Sequence, residues 1–158
     1  MEISIVGFSS IVSRKVIPSL IKIKELKKIN IFSRRNIEFN YKINNGIKVD
    51  CFNVGLLESF AKSNNNNIFY YISTENSTHF YFARILLNLK KNVLVDKPIV
   101  LDSDQLKILI NLASLNKCFI GEVLNWEYHN QVKYIKEFIK RNNKFNVIAR
   151  FTIPLPEE

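Results

Sequence analysis

Short apolar runs alternate with amphipathic segments along almost the whole chain, and this alternation restricts the possible folds more than any other feature. Apolar runs separated by helical segments are typical of parallel strands joined by crossover helices. The predicted fold is therefore α/β, with a mostly parallel sheet of about six strands and helices on both faces. Strands are predicted at 3–6, 29–32, 46–49, 68–72, 92–95 and 118–120, and helices at 11–26, 54–63, 78–89, 102–113 and 132–139.

The length and the cysteine content set outer limits. The 158 residues suffice for one domain with a sizeable core, but not for two full α/β domains. No apolar run could span a bilayer, and the strand pattern that begins just after Met1 leaves no room for a signal peptide. We therefore expect a cytoplasmic protein without membrane contact. Cys51 and Cys118 have no metal-binding spacing, which predicts two reduced, largely buried thiols and no metal site.

The chain is basic, with a formal net charge of +9 and a pI of about 9.6. Such a charge permits contact with nucleic acid but does not require it. The Lys and Arg residues are scattered over predicted helix faces and loops, and no stripe of interleaved aromatic residues accompanies them. The pattern therefore disfavours nucleic acid as a partner, and nucleic-acid binding stays only a third alternative.

The C-terminal segment contains one more apolar run than the sheet needs. Residues 146–153 have the pattern of a strand, and the run stops at Pro154. An apolar strand without a partner tends to pair with another chain. We therefore predict the first strand of a second, α+β domain that is missing here, with self-association through this strand as an alternative. The predicted division is 1–122 for the α/β domain, 123–145 for a connecting helix region and 146–158 for the truncated domain.

The turn after the first strand is a candidate anion site, because the N-terminus of the following helix offers free N–H groups and a positive dipole end. The dinucleotide fingerprint GxGxxG is reduced there to Gly7, since Ser9 and Val12 replace the other two glycines. The Ser9 hydroxyl could donate to a phosphate oxygen in compensation. An ordinary strand-to-helix turn explains the segment equally well.

The end of the second predicted strand bears on the type of dinucleotide. An acid at this position accepts a hydrogen bond from a ribose 2′-hydroxyl, whereas an arginine contacts a 2′-phosphate. The chain has Ser33, Arg34 and Arg35 there and no acid. If a dinucleotide binds, NADP(H) is favoured over NAD(H), because Arg makes bidentate contacts with phosphate. A solvated loop is the alternative explanation.

Three further segments resemble a known family. The stretch 72–79 (ISTENSTH) resembles the T-P-N-x-x-H turn of the Gfo/Idh/MocA oxidoreductases, and 96–98 (DKP) resembles their E-K-P tripeptide. Segment 121–129 (GEVLNWEYH) is similar to the part of the family that follows strand six. The resemblance extends from Met1 to about Phe151 and implies a Rossmann-like, doubly wound sheet.

The resemblance also implies roles for individual residues. Thr74, Asn76 and His79 would line the nicotinamide side of the cofactor cleft. Lys97 would be catalytic, orienting the substrate hydroxyl or carbonyl and assisting proton transfer. Partial burial would lower the pKa of this lysine toward the working pH, as acid–base catalysis prefers. In relatives the Lys-Pro bond is often cis. The full set of expected cofactor-binding residues is Gly7, Phe8, Ser9, Ser10, Ile11, Ser33, Arg34, Arg35, Ser73, Thr74, Asn76, His79, Asp96 and Lys97.

Four positions depart from the family pattern. Asp96 replaces the usual Glu, Glu75 replaces a Pro, and Glu127 replaces a frequent Arg. Lys90 replaces a helix-ending Gly, so a left-handed cap there would be strained or absent. These departures bear on cofactor affinity more than on the fold.

The expected function is that of the NAD(P)-binding domain of a sugar-type oxidoreductase. Such an enzyme transfers a hydride between a secondary alcohol or ketone and nicotinamide. Because both reactants must be held together, we expect negligible activity unless a substrate domain supplies the sugar-like molecule. The alternative is a non-catalytic Rossmann module that binds a nucleotide or a partner chain.

Overall fold

A parallel sheet of six strands forms the centre of the protein, in the order β3-β2-β1-β4-β5-β6. The computed structural model describes residues 1–35, 37, 46–64, 67–142, 144, 146 and 148. Every strand pairs with its neighbours in parallel, which confirms the predicted α/β, doubly wound fold. The strands are β1 (Glu2–Val6), β2 (Lys28–Ser33), β3 (Lys48–Asn53), β4 (Asn67–Ile72), β5 (Val93–Val95) and β6 (Ile120–Glu122).

The chain divides into two compact units, Met1–Val123 and Leu124–Glu158, and each is described by itself. In the first unit, successive side chains of a strand point to opposite faces of the sheet. Ile5 and Ile31 are therefore buried in one apolar cluster, and Val6 and Phe32 are buried in another. The sheet is covered on both faces, which explains the continuous apolar runs of its central strands.

Helices α2 (Leu57–Ser63), α3 (Asn76–Asn88) and α4 (Ser103–Asn116) contribute to the cluster that contains Val6. Leu86 on α3 and Leu109 on α4 are fully buried there. Complete burial of a leucine contributes roughly 1.5–3 kcal/mol. These side chains hold α3 and α4 against the face of the sheet to which Val6 points.

The first helix is much shorter than the predicted 11–26. A π-helical segment, Val12–Val16, leads into α1 (Ile17–Leu20), and turns closed by bonds such as Ile23 N–H to Leu20 O follow. Pro18 has no N–H and crowds the carbonyl one turn earlier, which accounts for the wide turn before it. Ile21 is the C-cap residue of α1, and its side chain packs against the apolar cluster that contains Ile5.

Two helix ends differ from expectation. Helix α3 begins at Asn76 rather than at 78, and Glu75 occupies its N-cap position with a side chain that makes no capping hydrogen bond. After α3, Lys90 adopts the left-handed conformation with φ 57°, so the cap is present although a lysine forms it. The predicted start of α4 agrees with the structure, since Asp102 accepts hydrogen bonds from the N–H groups of Asp104 and Gln105.

Some of the predictions are wrong in detail. Cys51 is exposed rather than buried, because its strand β3 lies at the edge of the sheet. The last strand is Ile120–Glu122 rather than 118–120, since Cys118 still belongs to the turn that closes on Ala113 O. No helix among the described residues is long and apolar enough to cross a membrane.

The second unit contains a short 3₁₀ turn, Asn125–Tyr128, and helix α5 (Asn130–Arg141). His129 caps α5 through Nδ1, which accepts from the Gln131 N–H at 3.3 Å, and Lys136 Nζ contacts Glu127 Oε1 at 2.8 Å. The strand predicted at 146–153, and with it the proposed domain 146–158, lies mostly outside the described residues.

Candidate functional site

The carboxyl ends of β1, β2 and β4 surround a cavity of about 310 Å³. Strands β2 and β3 lie on one side of β1, and strands β4, β5 and β6 lie on the other. Ligands of open α/β sheets bind at the point where the strand order reverses in this way. Predicted site residues that line the cavity are Gly7, Phe8, Ser9, Ser33, Arg34, Arg35, Ser73 and Thr74. Lining residues that the sequence analysis did not name as site residues are Phe32, Val54, Glu75, Thr78 and Phe82.

Gly7 is held where no other residue fits. Its φ is +97°, and a Cβ atom there would lie 2.4 Å from the carbonyl oxygen of Ser73. The Gly7 N–H donates to Phe32 O, and the Ser73 N–H donates to Val6 O, both at 2.8 Å. The glycine therefore lets the turn after β1 lie directly against the loop after β4.

Ser9 belongs to a chain of hydrogen bonds that runs beneath the turn. Its Oγ accepts from the Val12 N–H at 3.2 Å and lies 2.8 Å from Ser73 Oγ, which donates to Asp96 Oδ2 at 3.3 Å. Because a hydroxyl has one proton and a carboxylate only accepts, Ser9 is the donor to Ser73. In this arrangement the Ser9 proton is directed to Ser73 and is not offered to a phosphate.

Asp96 is the end point of this chain. The same Oδ2 accepts from the Tyr71 hydroxyl at 3.4 Å, and Oδ1 accepts from the Lys97 N–H at 3.0 Å. Burial raises the pKa of Tyr71 from 10 to about 12, with a contribution from the negative charge of Asp96. The carboxylate thus joins the loop after β5 to the loop after β4.

Ser10 and Ile11 are exposed at the start of the first helix and do not line the cavity. Ser10 engages the neighbouring side chains. Its carbonyl oxygen accepts from Arg14 Nε at 3.3 Å, and its hydroxyl accepts from Arg14 Nη2 at 3.2 Å. A guanidinium is therefore held beside the helix N-terminus, where it adds positive charge to the dipole end.

The two arginines after β2 are both at the cavity, with different contacts. Arg34 Nη2 forms an ion pair with Glu75 Oε1 at 2.6 Å. The Arg35 N–H donates to Ser33 Oγ at 3.1 Å. Arg35 also lines a smaller neighbouring cavity together with Cys51. The end of β2 thus presents two positive side chains to the site.

His79 is fully buried and does not line the cavity. Its Nδ1 lies 2.8 Å from Pro98 O, and its Nε2 lies 3.2 Å from Thr74 O. The imidazole therefore bridges the loop after β5 and the loop after β4 without lining the cavity. Asn76 lies in the first turn of α3 and is exposed.

Lys97 stands at the carboxyl end of β5, where the resemblance requires it, but its side chain is exposed rather than partly buried. The Lys97-Pro98 peptide bond is cis. Just beyond it, Glu122 Oε1 accepts from the Ile99 N–H at 2.8 Å. Glu122 is a positioning residue that sequence reasoning missed, because only the pairing of β5 with β6 brings it near.

Among the described residues, no three His, Cys, Asp or Glu side chains form a cluster that could hold a metal ion. What the cavity offers is positive charge and backbone donors. Arg34 and Arg35 stand at one side, and the N-terminus of the first helix stands near Gly7 and Ser9. This is the donor set of an anion site for a phosphorylated ligand.

Solved structures with the same fold are numerous. The probable oxidoreductase YhhX aligns with a TM-score of 0.77 at 22% identity, over 89% of this chain and 40% of that one. A 3-ketoreductase from Actinomadura kijaniata, solved with NADP and TDP-benzene, gives 0.70 at 19% identity, over 89% and 42%. The WlbA dehydrogenase from Thermus thermophilus, solved with NAD and UDP-GlcNAcA, gives 0.72 at 14%, over 91% and 48%.

This chain spans less than half the length of each of these three proteins. No curated protein matches it by sequence. Residues 1–122 match the Gfo/Idh/MocA family, described as an oxidoreductase family with an NAD-binding Rossmann fold. That match covers the whole sheet and every predicted site residue. The chain therefore belongs to the Gfo/Idh/MocA oxidoreductase family and contains its NAD-binding Rossmann domain.

Proposed function

We propose that the chain binds a nicotinamide dinucleotide across the carboxyl ends of β1, β2 and β4, with NADP(H) favoured over NAD(H). The observation that carries the preference is the pair of arginines at the end of β2, both lining the cavity. Guanidinium groups make bidentate contacts with phosphate, and the two residues directly after β2 are both arginines, so neither is an acid that could accept a hydrogen bond from a ribose 2′-hydroxyl. Two similar proteins were solved with NADP and with NAD, so the fold alone does not decide between the two dinucleotides.

The cavity suits one end of such a ligand. Its volume of about 310 Å³ is at the small end of the range for ligand pockets, which matches the adenosine half better than a whole dinucleotide. Arg34 and Arg35 would hold the 2′-phosphate. The N-terminus of the first helix, near Gly7, would hold the pyrophosphate. The dinucleotide, when bound, supplies the hydride acceptor or donor of the reaction.

We further propose that the reaction is hydride transfer to or from a secondary alcohol carbon of a sugar or sugar nucleotide. Two similar proteins support this class, since one was solved with TDP-benzene and the other with UDP-GlcNAcA. A bound nicotinamide would accept the hydride of the carbinol carbon in the oxidation, and the hydroxyl proton would pass to a base. Lys97 would orient that hydroxyl and assist the proton transfer.

Substrate turnover requires more than this chain offers. The side chain of Lys97, the proposed catalytic residue, is exposed. Catalysis depends on holding both reactants in a fixed geometry. We therefore propose that the chain alone binds dinucleotide but has negligible activity, and that a substrate domain completes the site.

The test is to titrate the 158-residue chain with NADPH and with NADH and to monitor binding by the fluorescence of the nucleotide. We expect tighter binding of NADPH, and loss of that preference in the R34A/R35A variant. The K107A/K136A variant removes the same amount of charge at exposed positions outside the cavity, so it should keep the preference. Failure of both nucleotides to bind at millimolar concentration would refute the proposal and favour a non-catalytic module that binds a partner chain.

A further inference from the structure

An acid from another part of the chain, Glu75, lies opposite Arg34 at the cavity. Glu75 Oε1 lies 2.6 Å from Arg34 Nη2, and both residues line the cavity. Their side chains are 66% and 73% exposed, so water and dissolved ions reach the pair. The two residues are 41 positions apart in sequence and meet because β1 alone separates the ends of β2 and β4.

The local backbone presents the Glu75 side chain to Arg34. Glu75 is the N-cap residue of α3 in an extended conformation, and its carboxylate makes no capping bond with that helix. Its carbonyl oxygen accepts from the Thr78 hydroxyl at 2.8 Å and from the Thr78 N–H at 2.9 Å. The main chain of Glu75 is thereby fixed, while its carboxylate remains available to the guanidinium.

We propose that Glu75 is a specificity-determining residue, which competes with the 2′-phosphate of NADP(H) for the guanidinium of Arg34. This inference rests on the proposed dinucleotide site and deepens it. A phosphate and a carboxylate use the same donors of Arg, so NADP(H) must displace Glu75 from Arg34. The displaced carboxylate then stays close to a doubly charged group and repels it.

NAD(H) meets the same residue differently. Its ribose 2′-hydroxyl is a donor and can bond to the Glu75 carboxylate without breaking the ion pair, since a carboxylate accepts several hydrogen bonds. Glu75 thus weakens NADP(H) binding and leaves NAD(H) binding intact. The preference that Arg34 and Arg35 create is reduced by an acid contributed from the other half of the sheet.

The size of the effect follows from the exposure of the pair. Exposed ion pairs are weak and are screened by salt, so Glu75 should change NADP(H) affinity by about fivefold rather than by orders of magnitude. The effect should shrink as salt is added.

The experiment titrates the full chain with NADPH and NADH at low ionic strength. E75Q keeps the shape of the side chain and removes its charge, and we expect NADPH to bind about fivefold tighter while NADH affinity changes less than twofold. E75D keeps the charge and should behave like the wild type. E58Q removes a carboxylate of comparable exposure from a helical ion pair outside the cavity, so it controls for net charge. In an R34A background, the gain from E75Q should fall to about twofold or less.

The outcomes separate the two proposals. If NADPH binds the wild type but E75Q leaves its affinity unchanged, or shifts NADH equally, the role of Glu75 is refuted and the dinucleotide site stands. If E58Q gives the same gain as E75Q, net charge explains the result and the inference also fails. If neither nucleotide binds the wild type or E75Q, both proposals fail.

Discussion

The Ser73 hydroxyl donates to the Asp96 carboxylate at 3.3 Å, so the loops after β4 and β5 share a buried polar contact. Ser73 is 2% exposed, and its Oγ also accepts from Ser9. The Ser73 hydroxyl therefore accepts the hydrogen bond of Ser9 and donates one to Asp96. When one member of such a network is removed, the remaining polar groups lose their hydrogen-bond partners. This lowers the free energy of unfolding by more than the loss of one average hydrogen bond does.

The first prediction concerns that serine. We expect S73A to lower the free energy of unfolding by about 1–3 kcal/mol, because Ser9 loses its acceptor and Asp96 loses a donor. Urea denaturation followed by circular dichroism measures the change. S59A removes an exposed hydroxyl that bonds only within its own helix and should change stability by less than about 0.5 kcal/mol. Equal effects of the two variants would contradict the importance of the network.

The second prediction concerns Gly7. We expect G7A to destabilise the protein by at least about 2 kcal/mol or to prevent folding, because φ is +97° and the added Cβ would meet Ser73 O. Gly46 also has a positive φ, +69°, but no atom lies within 4 Å of an added Cβ. G46A should therefore show only the conformational penalty of about 1–2 kcal/mol. The difference between the two variants, measured in urea, isolates the close approach to Ser73.

The third prediction concerns lysines in the left-handed conformation. Lys90 and Lys117 have φ values of 57° and 54° at the C-terminal ends of α3 and α4. A glycine adopts this conformation without the penalty that a Cβ imposes, so K90G and K117G should each raise stability by about 1 kcal/mol. K107G, placed inside α4, should instead lower it by about the same amount. Thermal or urea unfolding of the three variants provides the comparison.

The fourth prediction concerns alkaline pH. The pKa of Tyr71 is raised from 10 to about 12 in the folded protein, chiefly by burial, which disfavours the phenolate. Its contribution to stability is complete below pH 10 and is lost as the pH rises from 10 through 12. The loss is on the order of 2 kcal/mol. Y71F should lack this component, so the stability difference between wild type and Y71F should shrink across that range. A difference that stays constant with pH would show that Tyr71 titrates normally.

The sheet and part of the site could be predicted because they depend on local patterns. The apolar runs give the strands, and Arg34 directly follows one of them, so its place at the carboxyl edge follows from parallel pairing. The place of Gly7 at the same edge can be predicted in the same way, because Gly7 directly follows the first strand. The early end of the first helix was harder to foresee, since the periodicity continues past Leu20.

The remaining parts of the site depend on contacts between distant segments. Glu75 belongs to the site because β4 lies beside β1, and its pairing with Arg34 has no signal in the local sequence. His79 has a family position at the cofactor cleft, yet its imidazole is buried between two carbonyl oxygens. Its surroundings come from the fold of the loop after β5. Periodicity and spacing describe one segment at a time, so they cannot reveal such contacts.

The close approach of Gly7 to Ser73 has a consequence for the order in which the protein folds. Ser9 and Ser73 are 64 positions apart, and their contact requires β4 to have joined β1. A nascent chain that has reached only β3 therefore cannot complete the turn after β1, however well its first strand and helix have formed. A ligand that needs this turn can bind only after β4 has paired with β1. Such a ligand would therefore stabilise the protein in which both halves of the sheet are paired.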